Sequence, residues 1–264
     1  MTRNRAVTAL SAQEIALAER LVIARTDGDL VLNKPAHLAC SSRDPNEATV
    51  DRLLWAFARS NGKRPHLVHR IDRETSGLLV AAETVPRARA LTAAFEARTV
   101  RKTYLALVAG SVVPLAEGQI DLPIRRAKRP GRREVAECAA PGTPGAKPAL
   151  TVWRCLAATP THALIEAKPR TGRLHQIRLH LASLGLPILG DGRHGSARAE
   201  AARLMLHAWR LALPVETGGT RDHKAPVPGD FRGKAEQLGL AEGLSIGSAS
   251  SLAPTAEDPY GIAE

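Results

Sequence analysis

Five strand-like segments follow one another after residue 100 of this chain: "KTYLALVAG" (102–110), "GQIDLPI" (118–124), "ALTVWRCLAA" (149–158), "HALIEAKP" (162–169) and "LMLHAWRLAL" (204–213). Parallel strands need crossovers of about a dozen residues or more, usually helical, and few helical patterns interrupt this series. The series therefore predicts an α+β fold, a mixed but mostly antiparallel β-sheet with flanking helices, and excludes repeated βαβ units.

Earlier segments supply the helices and one hairpin. "LSAQEIALAER" (10–20) offers Ser11 as an N-cap with Glu14 three residues on, the capping-box spacing. "LVIAR" and "LVLNKP" flank the turn "TDGD", and Asp-Gly between aliphatic runs predicts a hairpin. "TVDRLLWAFARS" (49–60) and "VPRARALTAAFEAR" (85–98) carry apolar residues at helical spacing. Residues 124–148, "IRRAKRPGRREVAECAAPGTPGAKP", mix Arg, Lys, Pro and Gly without periodicity and read as a long basic connection. From about Lys234 the composition turns small and polar. We expect a helical extension over 1–20, one domain over 21–232 and a flexible tail over 233–264.

The chain has 264 residues, with Lys+Arg 37 against Asp+Glu 26 for a formal charge of +11, which favours a polyanionic partner and nucleic acid above all. No apolar run approaches the roughly 20 residues that span a bilayer, and the first residues lack a signal-peptide core. The expectation is a cytoplasmic monomer without membrane contact. Three scattered cysteines suit neither a disulfide framework nor a zinc site, and the histidine pairs 66/69 and 175/180 lack partners at ligand spacing. With three Phe, two Tyr and three Trp, the repeated stacking platforms of a passive single-strand binder are missing too.

Two stretches concentrate charge. "HRIDRETSGLL" (69–79) sets His69, Arg70, Asp72, Arg73 and Glu74 between apolar runs, which on its own suits a solvated turn as well as an active site. "KPRTGRLHQIRLHLASLGLPILGD" (168–191) predicts a helix from about Thr171, with Leu174, Ile177, Leu181 and Leu184 forming one buried stripe and Arg178 on its flank. A guanidinium there either reaches solvent along its stem or needs a carboxylate, for which Asp72 is the natural candidate.

"HRIDRETSGLL" resembles the catalytic motif of RluA-type pseudouridine synthases. The likeness extends in family order through "LVLNKPAHL" (30–38), "KTYLALVAG", "KPALTVW" (147–153), "RTGRLHQIRLHLASLGLPILGD", "LMLHAWRLAL" and "KAPVPGDF" (224–231). It implies the pseudouridine synthase fold and isomerisation of uridine in ribosomal or transfer RNA, on a stem-loop target, without cofactor or metal. It also implies roles. Asp72 would be the catalytic carboxylate, attacking the anomeric carbon or taking a proton beside it, with the positive charge of Arg178 nearby. Tyr104 would lie against the base and help remove the proton from carbon 5, and Arg70 would enter the RNA to assist base flipping. Arg173 and His175 would contact phosphate or order the site. Two departures stand out. Only about 20 residues precede the first strand, where many relatives carry an RNA-binding domain, and the first motif runs Pro35-Ala36-His37 where the family usually has Pro-Ala-Gly. A non-catalytic RNA-binding protein and a nucleoside N-glycosidase are the competing classes; the first would bind RNA without modifying it, the second would release free uracil.

Overall fold

The computed structural model describes residues 9–44, 47–112, 116–127, 135–215 and 217–249, with side chains described up to 245. Helix α1 (Ala12–Leu21) leads into the hairpin β1 (Val22–Thr26) and β2 (Asp29–Lys34), then α2 (Val50–Leu53) continued by a 3-10 turn (Leu54–Phe57). The short β3 (His66–Leu67), β4 (Ser76–Ala82), α3 (Val85–Glu96), β5 (Arg101–Ala109) and β6 (Glu117–Asp121) follow. A separate hairpin, β7 (Ile124–Ala127) with β8 (Val135–Cys138), precedes β9 (Leu150–Ala158), β10 (His162–Pro169) and α4 (Gln176–Ser183). The chain closes with β11 (Leu206–Pro214), β12 (Thr220–Lys224), α5 (Gly229–Gln237) and α6 (Glu242–Ala249).

Ten strands form one sheet, with β1-β2-β4-β11-β5-β10-β9-β6 in order, β3 added to β4 and β12 to β11. Among the named strands the described pairings are antiparallel except β4 with β11, where Ser76 faces His207 and Gly77 faces Ala208. The α+β expectation holds. The hairpin closes as its Asp-Gly turn dictates: Asp27 (φ 53°) and Gly28 (φ 76°) both take positive φ, the two-residue geometry that matches strand twist. Ser11 and Glu14 form the expected reciprocal cap on α1.

The short parallel pair is where the two halves of the sheet meet, and it depends on Gly77. At φ 110°, a β-carbon there would lie 2.1 Å from the Ala208 carbonyl oxygen, so any side chain would push β4 and β11 apart. Ser76 bonds the buried His207 ring across the same seam at 3.0 Å. Beside it, β11 carries a bulge at Trp209, since Ala208 pairs with Tyr104 but Arg210 pairs with Thr103. The extra residue sends Trp209 into the core and turns the strand next to Tyr104.

Three expectations need correction. Helix α4 starts at Gln176 rather than near Thr171, and Leu184 is 45% exposed, so the 174–184 stripe does not form. Residues 176–181 are instead all buried, because the β7–β8 hairpin covers the outer side of α4, with Ile124, Ala136 and Ala149 packed on Leu179. That hairpin occupies part of the stretch read as an irregular connection; residues 128–134 lie outside the described residues. The flexible tail does not begin at 233: Ala235, Leu240 and Leu244 belong to the same core cluster as the inner residues of β9 and β10, and α6 packs on β9, while 250–264 lie outside the described residues. Few apolar residues suffice when each falls on the buried side. At the other end, Ala18 and Leu21 of α1 pack into the core with Leu53 and Leu54, as part of the domain.

Candidate active site

A cavity of about 580 Å³ opens where the 68–75 loop, β5 and the 169–178 segment converge, within the roughly 300–1,000 Å³ range of ligand sites. Its walls include all six residues singled out in the sequence: Arg70, Asp72, Tyr104, Arg173, His175 and Arg178. They come from chain segments a hundred residues apart.

Arg178, 2% exposed on α4, anchors the site. Its main partner is Asp191, which accepts from Nε at 2.8 Å and from Nη2 at 2.7 Å; the Nη1 left over lies 3.5 Å from Asp72 and 3.8 Å from Glu74. The 72–178 pairing expected from the sequence therefore exists, but as the weaker arm of a larger network. Burial alone would raise the Asp191 carboxyl; the Arg178 hydrogen bonds and charge, with the Arg193 and His194 amides, bring it down to about 2. Asp191 thus fixes the guanidinium plane so that one N–H edge faces the cavity carboxylate.

Asp72 keeps a side chain that is 24% exposed, facing the cavity, on a loop held from below by Lys34. The Lys34 ammonium is fully buried and donates to three carbonyls, Pro35 at 2.9 Å, Leu38 at 2.8 Å and Arg73 at 3.1 Å. Burial lowers it to about 8 despite the thiol and carboxylates nearby. Cys40 adds a contact to the Ile71 carbonyl at 3.3 Å. His69 turns its ring inward, stacked on Phe95 with centroids 4.4 Å apart, and accepts a hydrogen bond from the Val80 amide at 2.9 Å. Burial drops it to about 3, so it orders the loop as a neutral ring.

His37 shows how the departure from the family motif is accommodated. At φ 68° it occupies the left-handed region that a glycine would adopt freely, and its carbonyl accepts from Arg73 Nε at 3.1 Å. The exposed side chain makes His37→Gly a clean test. The variant should be more stable by about 1 kcal/mol and melt about 2–4 °C higher in a thermal scan. An unchanged or lower melting temperature would show that the imidazole contributes more than the strain costs.

Tyr104 lies on β5 with its phenol at the cavity wall. Burial, then the charges of Asp72 and Cys40, push the phenol above its ordinary value, so the resting hydroxyl is protonated. His175 sits in the left-handed region (φ 55°) at the start of α4; its Nδ1 contacts His194 Nε2 at 2.6 Å and its Nε2 lies 3.9 Å from Asp72. Burial lowers both imidazoles, His194 to about 4, so at neutral pH the contact with Asp72 is dipolar rather than ionic. Arg173 turns its Nε to the Pro148 carbonyl at 3.0 Å, and Arg70 is exposed at the cavity edge.

Asp191, His194, Lys34 and Gln176 escape sequence reasoning. Gln176 joins a buried network, accepting from Thr171 Oγ1 at 2.7 Å and donating to Leu150 O and Thr151 Oγ1 at 3.0 Å, which ties α4 to β9. The one signal for Asp191 is the need of Arg178 for a carboxylate, combined with its place at the end of the same motif.

Comparison with solved structures defines the class. The chain superposes on human RNA pseudouridylate synthase domain containing 4 with a TM-score of 0.70 at 26% identity, covering 86% of this chain and 97% of that one. The sequence pattern described as RNA pseudouridylate synthase matches residues 30–183. The chain belongs to the RNA pseudouridine synthases of the RluA type. An uncharacterized RNA pseudouridine synthase of Zymomonas mobilis is 35% identical over 219 residues, 81% of this chain and 96% of that protein. The ribosomal large subunit pseudouridine synthase D of Neisseria meningitidis serogroup B is 34% identical over 239 residues, 84% of this chain but 62% of its own length. Among the described residues no helix is long and apolar enough to cross a membrane.

Proposed function

We propose that this synthase isomerises uridines in ribosomal RNA, with Asp72 as the catalytic carboxylate and base flipping as the means of access. The observation that carries this reading is the convergence of Asp72, Tyr104 and Arg178 on one cavity. Relatives named for the ribosomal large subunit favour ribosomal over transfer RNA. The reaction is balanced within the nucleotide: the bond from the sugar to N1 breaks, one from the same carbon to C5 forms, the proton leaves C5 and N1 ends protonated. No external oxidant or group donor enters. Asp72, beside Arg178 and open to the cavity, acts at the anomeric carbon or takes a proton beside it. Arg70, exposed at the cavity edge, fills the stack vacated by the flipped base.

Tyr104 offers its ring to the uracil and its hydroxyl to the C5 proton. Since the resting phenol is protonated, it removes that proton only after passing on its own, which makes ring and hydroxyl separable. Tyr104→Phe should bind RNA within about twofold of the native protein, yet lose roughly 10²–10⁴ in single-turnover rate. Equal loss of both would reduce Tyr104 to a binding residue.

The overall reading is tested by carbodiimide mapping of pseudouridine in RNA from cells with and without the gene, and again after the purified protein is added back to the deficient RNA. Large-subunit sites should vanish and return. Loss of transfer RNA sites alone would overturn the ribosomal assignment, and no lost site would overturn the activity.

A further inference from the structure

The structure assigns to Arg98, Lys102 and Arg173 a phosphodiester clamp on the cavity wall beside Tyr104, which grips the backbone of the RNA strand that carries the target base. This rests on the reading that RNA enters the cavity.

The three cations come from three elements: Arg98 just past α3 at φ 59°, Lys102 on β5, and Arg173 in the 169–178 segment. Elsewhere the fold matches its buried arginines with carboxylates, Arg87 with Asp29 at 2.7 Å, Arg178 with Asp191 at 2.7 Å and Arg203 with Asp230 at 2.5 Å. Among the described residues none of Arg98, Lys102 and Arg173 has a carboxylate within 4.0 Å. The closest polar contact of the Lys102 ammonium is the Thr171 carbonyl at 3.5 Å. Lys102 and Arg173 are half-buried and Arg98 is exposed beside them, so the group lacks a fixed carboxylate and stands open to a mobile anion.

The groups facing Lys102 support this. Arg98 from the α3 end, Arg170 and Arg173 from the loop and the neutral His69 ring line the same cavity, and its two carboxylates, Asp72 and Glu96, lie outside ion-pair reach of Arg98, Lys102 and Arg173. Burial and then Arg98 lower Lys102 to about 8, and the same two causes lower Arg173. Placement points to a backbone phosphate rather than a free anion. Lys102 and Tyr104 are alternate residues of one strand, so they share a face about 7 Å apart, with Thr103 buried on the other side. A base lying on Tyr104 thus brings its adjoining phosphate within reach of Lys102.

The test uses a fluorescently labelled oligouridylate and the full chain as native protein, Lys102→Gln, Lys102→Arg and Arg98→Gln. At neutral pH, Lys102→Gln should bind about tenfold more weakly, and the slope of log affinity against log salt should shrink by about 0.7–1; Arg98→Gln, at an exposed position, should reduce the slope likewise if Lys102→Gln fails to fold. Lys102 holds its charge below about pH 8 and loses it above, so native affinity should fall several-fold from pH 7 to pH 9. Lys102→Arg should be insensitive to pH over that range, beyond what the RNA itself contributes. Native-like affinity and slope in both neutral variants, or an equal pH response in Lys102→Arg, would overturn the clamp. Pseudouridine formation is read separately on cellular RNA. A protein that isomerises uridine but is indifferent to Lys102 defeats the clamp alone, and one that binds as expected without making pseudouridine defeats the activity alone.

Discussion

Asp72→Asn should abolish pseudouridine formation, by about 10⁴-fold or more, while leaving the melting temperature within a few degrees of the native protein. The asymmetry follows from how the residue is held. Its side chain is 24% exposed, its nearest cation is the third-best contact of Arg178 at 3.5 Å, and the loop beneath it is fixed by Lys34 and Cys40 rather than by the carboxylate. The amide keeps the shape and removes the nucleophilic or basic oxygen. Single-turnover assays on deficient RNA, with thermal melts, measure both halves. Activity within tenfold of native would sink the assignment, and a large loss of stability would show that the carboxylate holds the loop.

Asp191→Ala should do the opposite, damaging fold and activity together. Removing one partner leaves the Arg178 guanidinium buried with no bidentate acceptor, at a cost of about 3–5 kcal/mol. At about 2–4 °C per kcal/mol this lowers melting by roughly 10 °C. Replacing the whole pair, as Arg178→Met with Asp191→Leu, should recover much of the stability, because two apolar groups remove the unpaired charge. Activity should stay lost, since no cation then faces Asp72. Thermal melts and single-turnover rates on the three proteins separate these effects. Recovered activity in the double variant would show that the pair serves packing alone.

The fold and the site were legible in the sequence to different depths. The strands after residue 100, the Asp-Gly hairpin and the α1 cap follow from local alternation and turn chemistry, which a chain must satisfy whatever its tertiary context. Asp72 and Arg178 stand out as charges set beside apolar runs, the resemblance to the RluA-type synthases supplies Arg70, Tyr104, Arg173 and His175, and all six line one cavity. What stayed hidden is non-local. The start of α4 is delayed because Gln176 is engaged with Leu150 and Thr151, and the exposure of its surface is reversed by a hairpin that carries no periodicity of its own. The primacy of Asp191 over Asp72 depends on distances that no spacing rule supplies. In the same way, three buried residues, Ala235, Leu240 and Leu244, in an otherwise polar C-terminal stretch override a compositional reading.

The seam between β4 and β11 also sets a schedule. Ser76 and His207, which bond across it, are 131 positions apart, and Arg87 donates to the Pro214 carbonyl from 127 positions away. During synthesis from the N-terminus, the catalytic loop and β4 wait without their central neighbour until β11 has been made. Loop closure over such separations is slow, so competence for uridine chemistry should arise in the last kinetic phase of folding, after the hairpin and helix caps have formed.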